Sequence, residues 1–524
     1  MKKNVCVIGA GPSGLVAIKE LLDEGHSVTC FEQACEPGGV FRENIGSDEA
    51  GAYESTMLTI SNYMMTFSSS PPPAHEPRQF WSAARYRRYL LDFAERFDLG
   101  RTIRYQTEVL GIAKNKTGGY TVDVASADDP RGVVAHQFDA VAISTGTHRV
   151  PNYVDLPGQE EFEGEILHSA HYRNNTPFEG RKVLCVGIGE TAADVVDEIA
   201  RVAASCTLSV RRFQPVVERY PGGGPHTNDA FTSQLLRSVP LAIANPVMRF
   251  GNKRNRTKAD NPVSRAVAEW NSKNPAFFNH FLTKNEGFIH RIVDGKLTVN
   301  ASGIERLGKD YVQFKDGTRR PIDTIMLNTG YREDFNILKD IDASDVRTMY
   351  KHMIHPDLGA GVVFIGWARP AAGGVPACSE MQARYFALLL SGKRELPDRY
   401  QLRKLIDRQS SFENTVFHGN PNLRTLVHYN HYMLDFAKVL GCSPWRAAAF
   451  KNPRLVYRLF AGSQMPTVFR LFGPHADFDA ARRSIMSVPV AFKPRMVIGV
   501  LAVIAVSRAL IALRLMKPDP VYGG

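Results

Sequence analysis

The stretch Asn4-Val-Cys-Val-Ile8-Gly9-Ala10-Gly11-Pro12-Ser13-Gly14-Leu15 decides the fold. A short apolar run, suited to a buried parallel strand, enters a Gly-x-Gly-x-x-Gly turn, and helical spacing follows from Leu15 to Glu24. Ser27–Phe31 reads as the next strand and ends at Glu32. This is a complete βαβ unit with an acid about twenty residues beyond the glycines. Gly9 permits the tight turn, Gly11 lets the backbone approach a pyrophosphate, and Gly14 lets helix and strand pack closely. Pro12 and Ser13 open the helix, whose free N–H groups and partial positive charge face the phosphates. Glu32 can accept hydrogen bonds from ribose hydroxyls and disfavours a 2′-phosphate, so the site prefers FAD or NAD over NADP. Gly38-Gly39 offers a second close backbone approach, as FAD requires. The leading Met1-Lys2-Lys3 and its apolar run are too short for an export signal and read as the first strand.

The pattern recurs. Lys182–Val186 is strand-like, Gly187-Ile-Gly189-Glu190-Thr191-Ala192 is a second glycine loop, and Glu190–Ala204 is a crossover helix. Alanine serves in the third position because that position only sets helix–strand packing. The following strand, Thr207–Val210, ends in Arg211-Arg212 where the first unit ended in an acid. A guanidinium holds a 2′-phosphate by paired hydrogen bonds, which argues for NADPH here. The bland alternative is a solvated arginine pair.

The 524 residues suffice for two or more domains. The seven cysteines lack metal-like spacing, and Cys6, Cys30 and Cys185 read as buried reduced thiols of an intracellular protein. No metal site is expected. The net charge of +11 suits two anionic dinucleotides and a membrane surface. No zinc-finger spacing or RNA-binding signature supports nucleic acid as a partner.

With these pieces in place the chain resembles the flavin-containing monooxygenases over nearly its whole length. The most specific motif is Phe162-x-Gly164-x-x-x-His168-x-x-x-Tyr172. Baeyer–Villiger relatives carry Trp-Pro at its end; Tyr172-Arg173 here favours the branch that oxidises heteroatoms. Ser144-Thr145-Gly146 and Asn328-Thr329-Gly330 resemble the family's two strand-to-loop crossings between nucleotide domains. Thr59-Ile-Ser61-Asn62 resembles the segment with an active-site asparagine, and Phe364-Ile-Gly366 with Glu380-Met-Gln382 resembles the stretch closing the flavin domain. Phe469–Pro474 resembles the C-terminal region of the membrane-bound animal enzymes. Pro71–Pro73 and the basic segment 213–282 depart from the family's pattern, which leaves the substrate range open.

The resemblance implies an NADPH- and O2-dependent enzyme that oxygenates nucleophilic nitrogen or sulfur of lipophilic small molecules through a flavin hydroperoxide. It makes Asn62 the expected catalytic hydrogen-bond donor near flavin and NADP+, against a plain turn asparagine. His168 and Tyr172 are expected to link the domains and shape the NADP+ site, with no general-base role for His168. Glu380 or Gln382 is expected at the flavin through a helix N-terminus, against a solvated helix face.

Met496–Leu513 is almost wholly apolar and flanked by Lys493, Arg495, Arg514 and Lys517, which predicts a helix over 496–515 that anchors the chain to a membrane. The alternatives are a buried helix or a homodimer contact. The catalytic body is expected on the cytosolic side, at the endoplasmic reticulum in a eukaryote or the inner membrane in a bacterium. The expected architecture is α/β: two Rossmann-like dinucleotide-binding domains, with FAD held by residues 1–165 and 321–440, NADPH by an inserted 166–320, and a helical membrane-associating part at 441–524. Asp316-Gly317 predicts a hairpin between Tyr311–Lys315 and Arg320–Met326. Competing readings are a Baeyer–Villiger ketone monooxygenase, an NADPH oxidase making H2O2, a disulfide-type reductase (disfavoured by the lack of a Cys-x-x-Cys pair) and a non-catalytic NADP(H) sensor.

Overall fold

The structure is a computed structural model that describes residues 2–519 apart from 47–48, 117, 275, 339–342, 344 and 418–423. Two five-stranded parallel sheets organise it. The first runs Val362–Phe364, Ala140–Ile143, Asn4–Ile8, Ser27–Phe31, Ile103–Arg104. The second runs Thr298–Asn300, Ser205–Ser209, Lys182–Val186, Thr324–Leu327, Glu165–His168. Every strand of the second sheet lies in sequence between Ile143 and Val362. In chain order the second sheet thus lies within the first.

Both sheets are covered on both faces, which is why Ala140–Ile143 and the runs 5–8 and 183–186 of the central strands are continuously apolar rather than alternating. Val5 and Val7 join the core under the helix Pro12–Asp23, while Cys6 and Ile8 face the opposite cluster with Phe31 and Val141. In the second sheet Val183 and Cys185 pack against the helix Glu190–Val202, and Leu184 packs with Leu307 and Val312.

Two small antiparallel sheets flank these layers. The expected hairpin forms at Asp316-Gly317 between Tyr311–Phe314 and Arg319–Pro321, with Ile304–Gly308 as a third strand. Thr324–Leu327, expected as part of that hairpin, leaves it for the second sheet because its four residues are buried on both sides. The other small sheet, Thr107–Lys114 with Tyr120–Ser126 and Asp129–Phe138, lay unread in the sequence. The irregular segment 213–282 contains the helices Leu241–Lys258 and Pro262–Ser272. Asn271 pins it by exchanging two 2.8 Å hydrogen bonds with the Val216 backbone.

The C-terminal part packs on the first unit: Leu455, Leu459, Phe469, Leu471 and Ile485 belong to the main core of the first sheet. Buried Arg470 bonds to Glu20 and to Glu380 (3.1 Å) and donates to Ser68 Oγ at 2.7 Å, joining this segment to both principal helices of the first domain. The last helix is largely exposed. It spans Pro494–Ala512, two residues earlier than expected at its start and three at its end, and is long and apolar enough to cross a membrane, with mean hydropathy 2.0.

Candidate functional site

The two glycine loops share one geometry. Gly9 and Gly187 both have φ +94°, which L side chains rarely adopt. A Cβ on Gly9 would lie 2.8 Å from the Ser144 carbonyl oxygen, and one on Gly187 would lie 2.8 Å from that of Asn328. Ser144 and Asn328 open the two Thr-Gly crossings, so each crossing presses on its own loop. A Cβ on Gly14 would meet the Gly9 oxygen at 1.8 Å, so this glycine is fixed by helix–strand contact. Around Gly189 the space is open.

A single cavity of about 560 Å³ receives residues from both units. From the first come Gly9, Gly11, Pro12, Ser13, Glu32, Gly39, Thr145 and Gly146; from the second come Glu190 and Thr191, at the start of the crossover helix. The N-termini of both crossover helices thus reach this space, each a ready anion site. Buried Glu32 accepts the N–H groups of Ala10 (2.6 Å) and Ala34 (2.9 Å), fixing the first loop while its carboxylate lines the cavity. Glu190 pairs with Lys284 at 2.6 Å.

The remaining expected residues lie outside the cavity wall. Gly38 holds φ +125° and donates its N–H to Ala10, shaping the approach of Gly39. Gly14, Gly187 and Gly189 form the backs of their loops. Arg211 and Arg212 are exposed just beyond the strand Ser205–Ser209.

Asn62, the expected hydrogen-bond donor near the flavin, stands just behind the cavity wall. Its side chain is wholly buried and turned to the neighbouring loop: Oδ1 accepts from Tyr63 (3.0 Å) and Gln79 (3.2 Å), and Nδ2 donates to the Pro77 carbonyl at 3.0 Å. It starts a short helix and braces the turn that follows. Thr59 and Ile60, from the same segment, line the cavity instead. Gln382 is also displaced from its expected contact and acts at one remove. It accepts the N–H of cavity-lining Gly366 at 2.9 Å and donates to Tyr432 and to the Lys351 carbonyl. Glu380 is taken by Arg470 and Ser68.

The motif from Phe162 to Tyr172 is a packing device. A Cβ on Gly164 would meet the Asp323 carbonyl at 2.2 Å and the Phe162 ring at 2.4 Å, so glycine lets the strand Glu165–His168 close against Thr324–Leu327. His168 sits at the end of that strand between the rings of Tyr153 and Tyr331, with Nδ1 accepting from Ala170. Burial, helped by His171, pushes its pKa down to about 4, so the ring is neutral. Tyr172 donates to Glu198 on the crossover helix and packs edge-on against Tyr53.

Sequence reading missed a group on the cavity wall: His148, Asp194, Phe281, Lys284, Tyr331 and Arg369. Burial raises Asp194 to about 6 against the pull of Arg219 and Tyr53. Burial, with Arg369 nearby, lowers His148 to about 3, and burial raises Tyr331 to about 12. Arg369 and Lys284 both lie over the Phe281 ring, at 5.3 and 4.6 Å. Tyr331 directly follows the Asn328-Thr329-Gly330 crossing, but the others carry no motif, because they come from separate elements that only the fold brings together.

A family model described as flavin-binding monooxygenase-like matches residues 2–503. The chain belongs to this family, whose cofactors are FAD and NADPH. It is 37% identical over 503 residues to a 4-hydroxybenzoate brominase (decarboxylating) of Pseudoalteromonas luteoviolacea, covering 95% of each chain. It is 29% identical to dimethylaniline monooxygenase [N-oxide-forming] 2 of Rattus norvegicus, covering 93% of this chain and 92% of that one. Among solved structures, the S-allyl-L-cysteine S-oxygenase of Allium sativum superposes with a TM-score of 0.60 at 22% identity, over 84% of this chain and 89% of that one.

Proposed function

We propose that this flavin monooxygenase uses NADPH and O2 to oxidise a soft nucleophile, and that bromide with a phenolic acid is the substrate pair to test first. The observation that carries the cofactor reading is the cavity reached by both glycine loops. The loops fit the groups: Gly11 faces Gly39 across a gap that a Cβ would fill at 3.5 Å, and open space lies beside Gly189 and Gly146. Gly9 to Gly14, with Glu32, Gly38 and Gly39, would hold FAD, its pyrophosphate at the first helix and its ribose at Glu32. Glu190 and Thr191 would border the NADPH pyrophosphate, and Arg211 and Arg212 would take the 2′-phosphate. Bound FAD supplies hydride acceptance from NADPH and activation of O2. Phe281, Tyr331, Ile60 and Met65 keep water from the reacting region. Tyr53 and Ser55, bonded to Asp194 and Glu198 of the second crossover helix, hold the two units in register.

The brominase reading rests on 37% identity along 95% of both chains and on the cationic wall at Arg369 and Lys284. The nitrogen or sulfur reading is second, favoured by the apolar lining at Ile60, Met65, Phe281 and Ile337. The final helix supports attachment to a membrane, with the catalytic body on the side where NADPH is found. The test is NADPH-dependent turnover by the FAD-loaded full chain under O2, with products read by mass spectrometry. Bromophenol from 4-hydroxybenzoate and bromide supports the first reading. An N-oxide or sulfoxide from an added tertiary amine or thioether, with no bromophenol, transfers the assignment to the second. Hydrogen peroxide alone in both assays defeats both.

A further inference from the structure

Four arginine or lysine side chains line the cavity among the described residues: Arg42, Arg149, Lys284 and Arg369. Three have a carboxylate partner. Arg42 pairs with Glu49, Lys284 with Glu190 at 2.6 Å, and Arg149 reaches Glu108 at 4.0 Å. The Arg369 guanidinium has no hydrogen bond or ion pair among the described residues. It is half-buried, and burial lowers its pKa while Glu190, Glu333 and Tyr331 oppose that shift. Carboxylates act on it only from beyond hydrogen-bond distance, and a partly desolvated guanidinium with no direct partner is costly unless a ligand supplies one.

Its backbone is fixed while its head group stays available. The Arg369 N–H donates to the Thr425 carbonyl at 2.8 Å, and the residue pairs with Leu426 in a short parallel ladder. Three residues earlier, Gly366 approaches so closely that a Cβ there would touch Ser13 of the first glycine loop. Arg369 is therefore anchored beside the first loop, with its guanidinium within electrostatic reach of Glu190 at the start of the second crossover helix. Its surroundings are aromatic: the Phe281 ring lies 5.3 Å from the guanidinium carbon, and Tyr331 packs edge-on against neutral His148 with centroids 5.0 Å apart. A planar fork of N–H donors matches a carboxylate, and flat rings match an aryl group.

We infer that Arg369 is the substrate-recognition residue of this cavity, binding the carboxylate of a planar aromatic acid beside the Phe281 ring. The inference rests on the phenolic-acid reading above and adds the residue that selects for the acid.

The test is equilibrium binding to the oxidised, FAD-loaded full chain, without NADPH, read as a perturbation of the flavin absorbance. The probes are 4-hydroxybenzoate and its neutral counterpart 4-hydroxybenzamide. The wild-type chain is expected to favour the acid by roughly tenfold or more, as a charged hydrogen-bonded pair contributes. Arg369→Gln is expected to abolish that preference, and Arg369→Lys to restore part of it. FAD content and NADP+ titration of each variant check that the cofactor sites are intact. Retention of the acid's preference in FAD-replete Arg369→Gln overturns the inference, and so does a loss of NADP+ affinity with acid binding unchanged, which makes Arg369 a nucleotide ligand. If the wild-type chain binds neither probe, the phenolic-acid reading itself falls, and with it this role for Arg369. Bromination by the wild-type chain with an unchanged acid preference in Arg369→Gln removes only the role of Arg369.

Discussion

The Tyr172 hydroxyl donates to Glu198 Oε2 at 2.5 Å. Glu198 also accepts from Ser55, and Asp194, one turn earlier on the same helix, accepts from Tyr53. The segment Tyr53–Ser55 of the first unit is thereby tied to the crossover helix of the second, with Tyr172 closing the tie. Tyr172→Phe keeps the edge-on packing against Tyr53 and removes the donor. The expected loss is about 1–3 kcal/mol of unfolding free energy, because a half-buried carboxylate loses a partner. Urea titration of the FAD-loaded protein measures it, and an unchanged midpoint would mean that water replaces the hydroxyl at no cost.

The loops make a paired prediction. Gly14→Ala places a methyl 1.8 Å from the Gly9 oxygen, so the first loop must shift, and the purified protein should carry little or no FAD. Gly189→Ala meets no atom within 4 Å and should fold and keep FAD. Its methyl occupies the space proposed for the NADPH pyrophosphate, so the KM for NADPH should rise at least tenfold. Flavin-to-protein absorbance ratios and NADPH kinetics separate the two. Equal FAD content in both variants would count against the first loop as the flavin site.

The two βαβ units were legible because a tight turn, a close phosphate approach and a strand buried on both faces each restrict residue choice. The surroundings of Asn62 were not legible, because a short motif does not fix which residue of Thr59-Ile-Ser-Asn62 faces inward. The turn beginning at Asn62 uses its amide locally and leaves Thr59 on the wall. Arg470 shows a different limit. It falls in the 441–524 part expected to associate with a membrane, yet Glu20 and Glu380, distant in sequence, make it a buried ion-pair centre. Arg369 carries no local signal, since its meaning depends on which cavity residues lack partners.

Buried neutral histidines set an acid limit on stability. Burial lowers His148 to about 3, His168 and His428 to about 4, and His431 to about 2, from an ordinary value of 6.5. Below about pH 6.5 the unfolded chain binds protons that the folded chain refuses. Their stabilisation is thus complete above that pH and is lost as pH falls toward the folded values. Asp194, raised to about 6, runs the other way, and its contribution is lost as pH rises through about 6. With several histidines against one aspartate, stability should fall between pH 6.5 and 5, by up to about 1.4 kcal/mol per pH unit for each excluded proton. Urea midpoints across that range test this, and His168→Gln should flatten the slope. A midpoint that rises on acidification would sink the account.

Membrane attachment through the last helix, as proposed, makes a prediction of its own. Within Pro494–Ala512 the buried residues are Val497, Ile504 and Ser507, and the first two rest on Phe492, Leu235 and Ala461. The other faces present Ile498 at 69% and Val506 at 59% exposure, an apolar surface that water does not favour. Arg508 opposes full insertion by roughly 2.5–3.5 kcal/mol at a bilayer centre, and its position near the helix end lets it snorkel. Asp519, just beyond the helix, accepts the Leu241 N–H at 2.9 Å, so the tail also touches the second unit. A chain ending at residue 493 loses that bond and the small contact with Phe492, while the core around Leu455, Phe469 and Arg470 is untouched. It should stay folded with FAD bound and remain in the supernatant when membranes are sedimented in alkaline carbonate. The full chain should pellet. If the shortened chain precipitates and loses FAD, the helix contributes to the core rather than to a lipid contact.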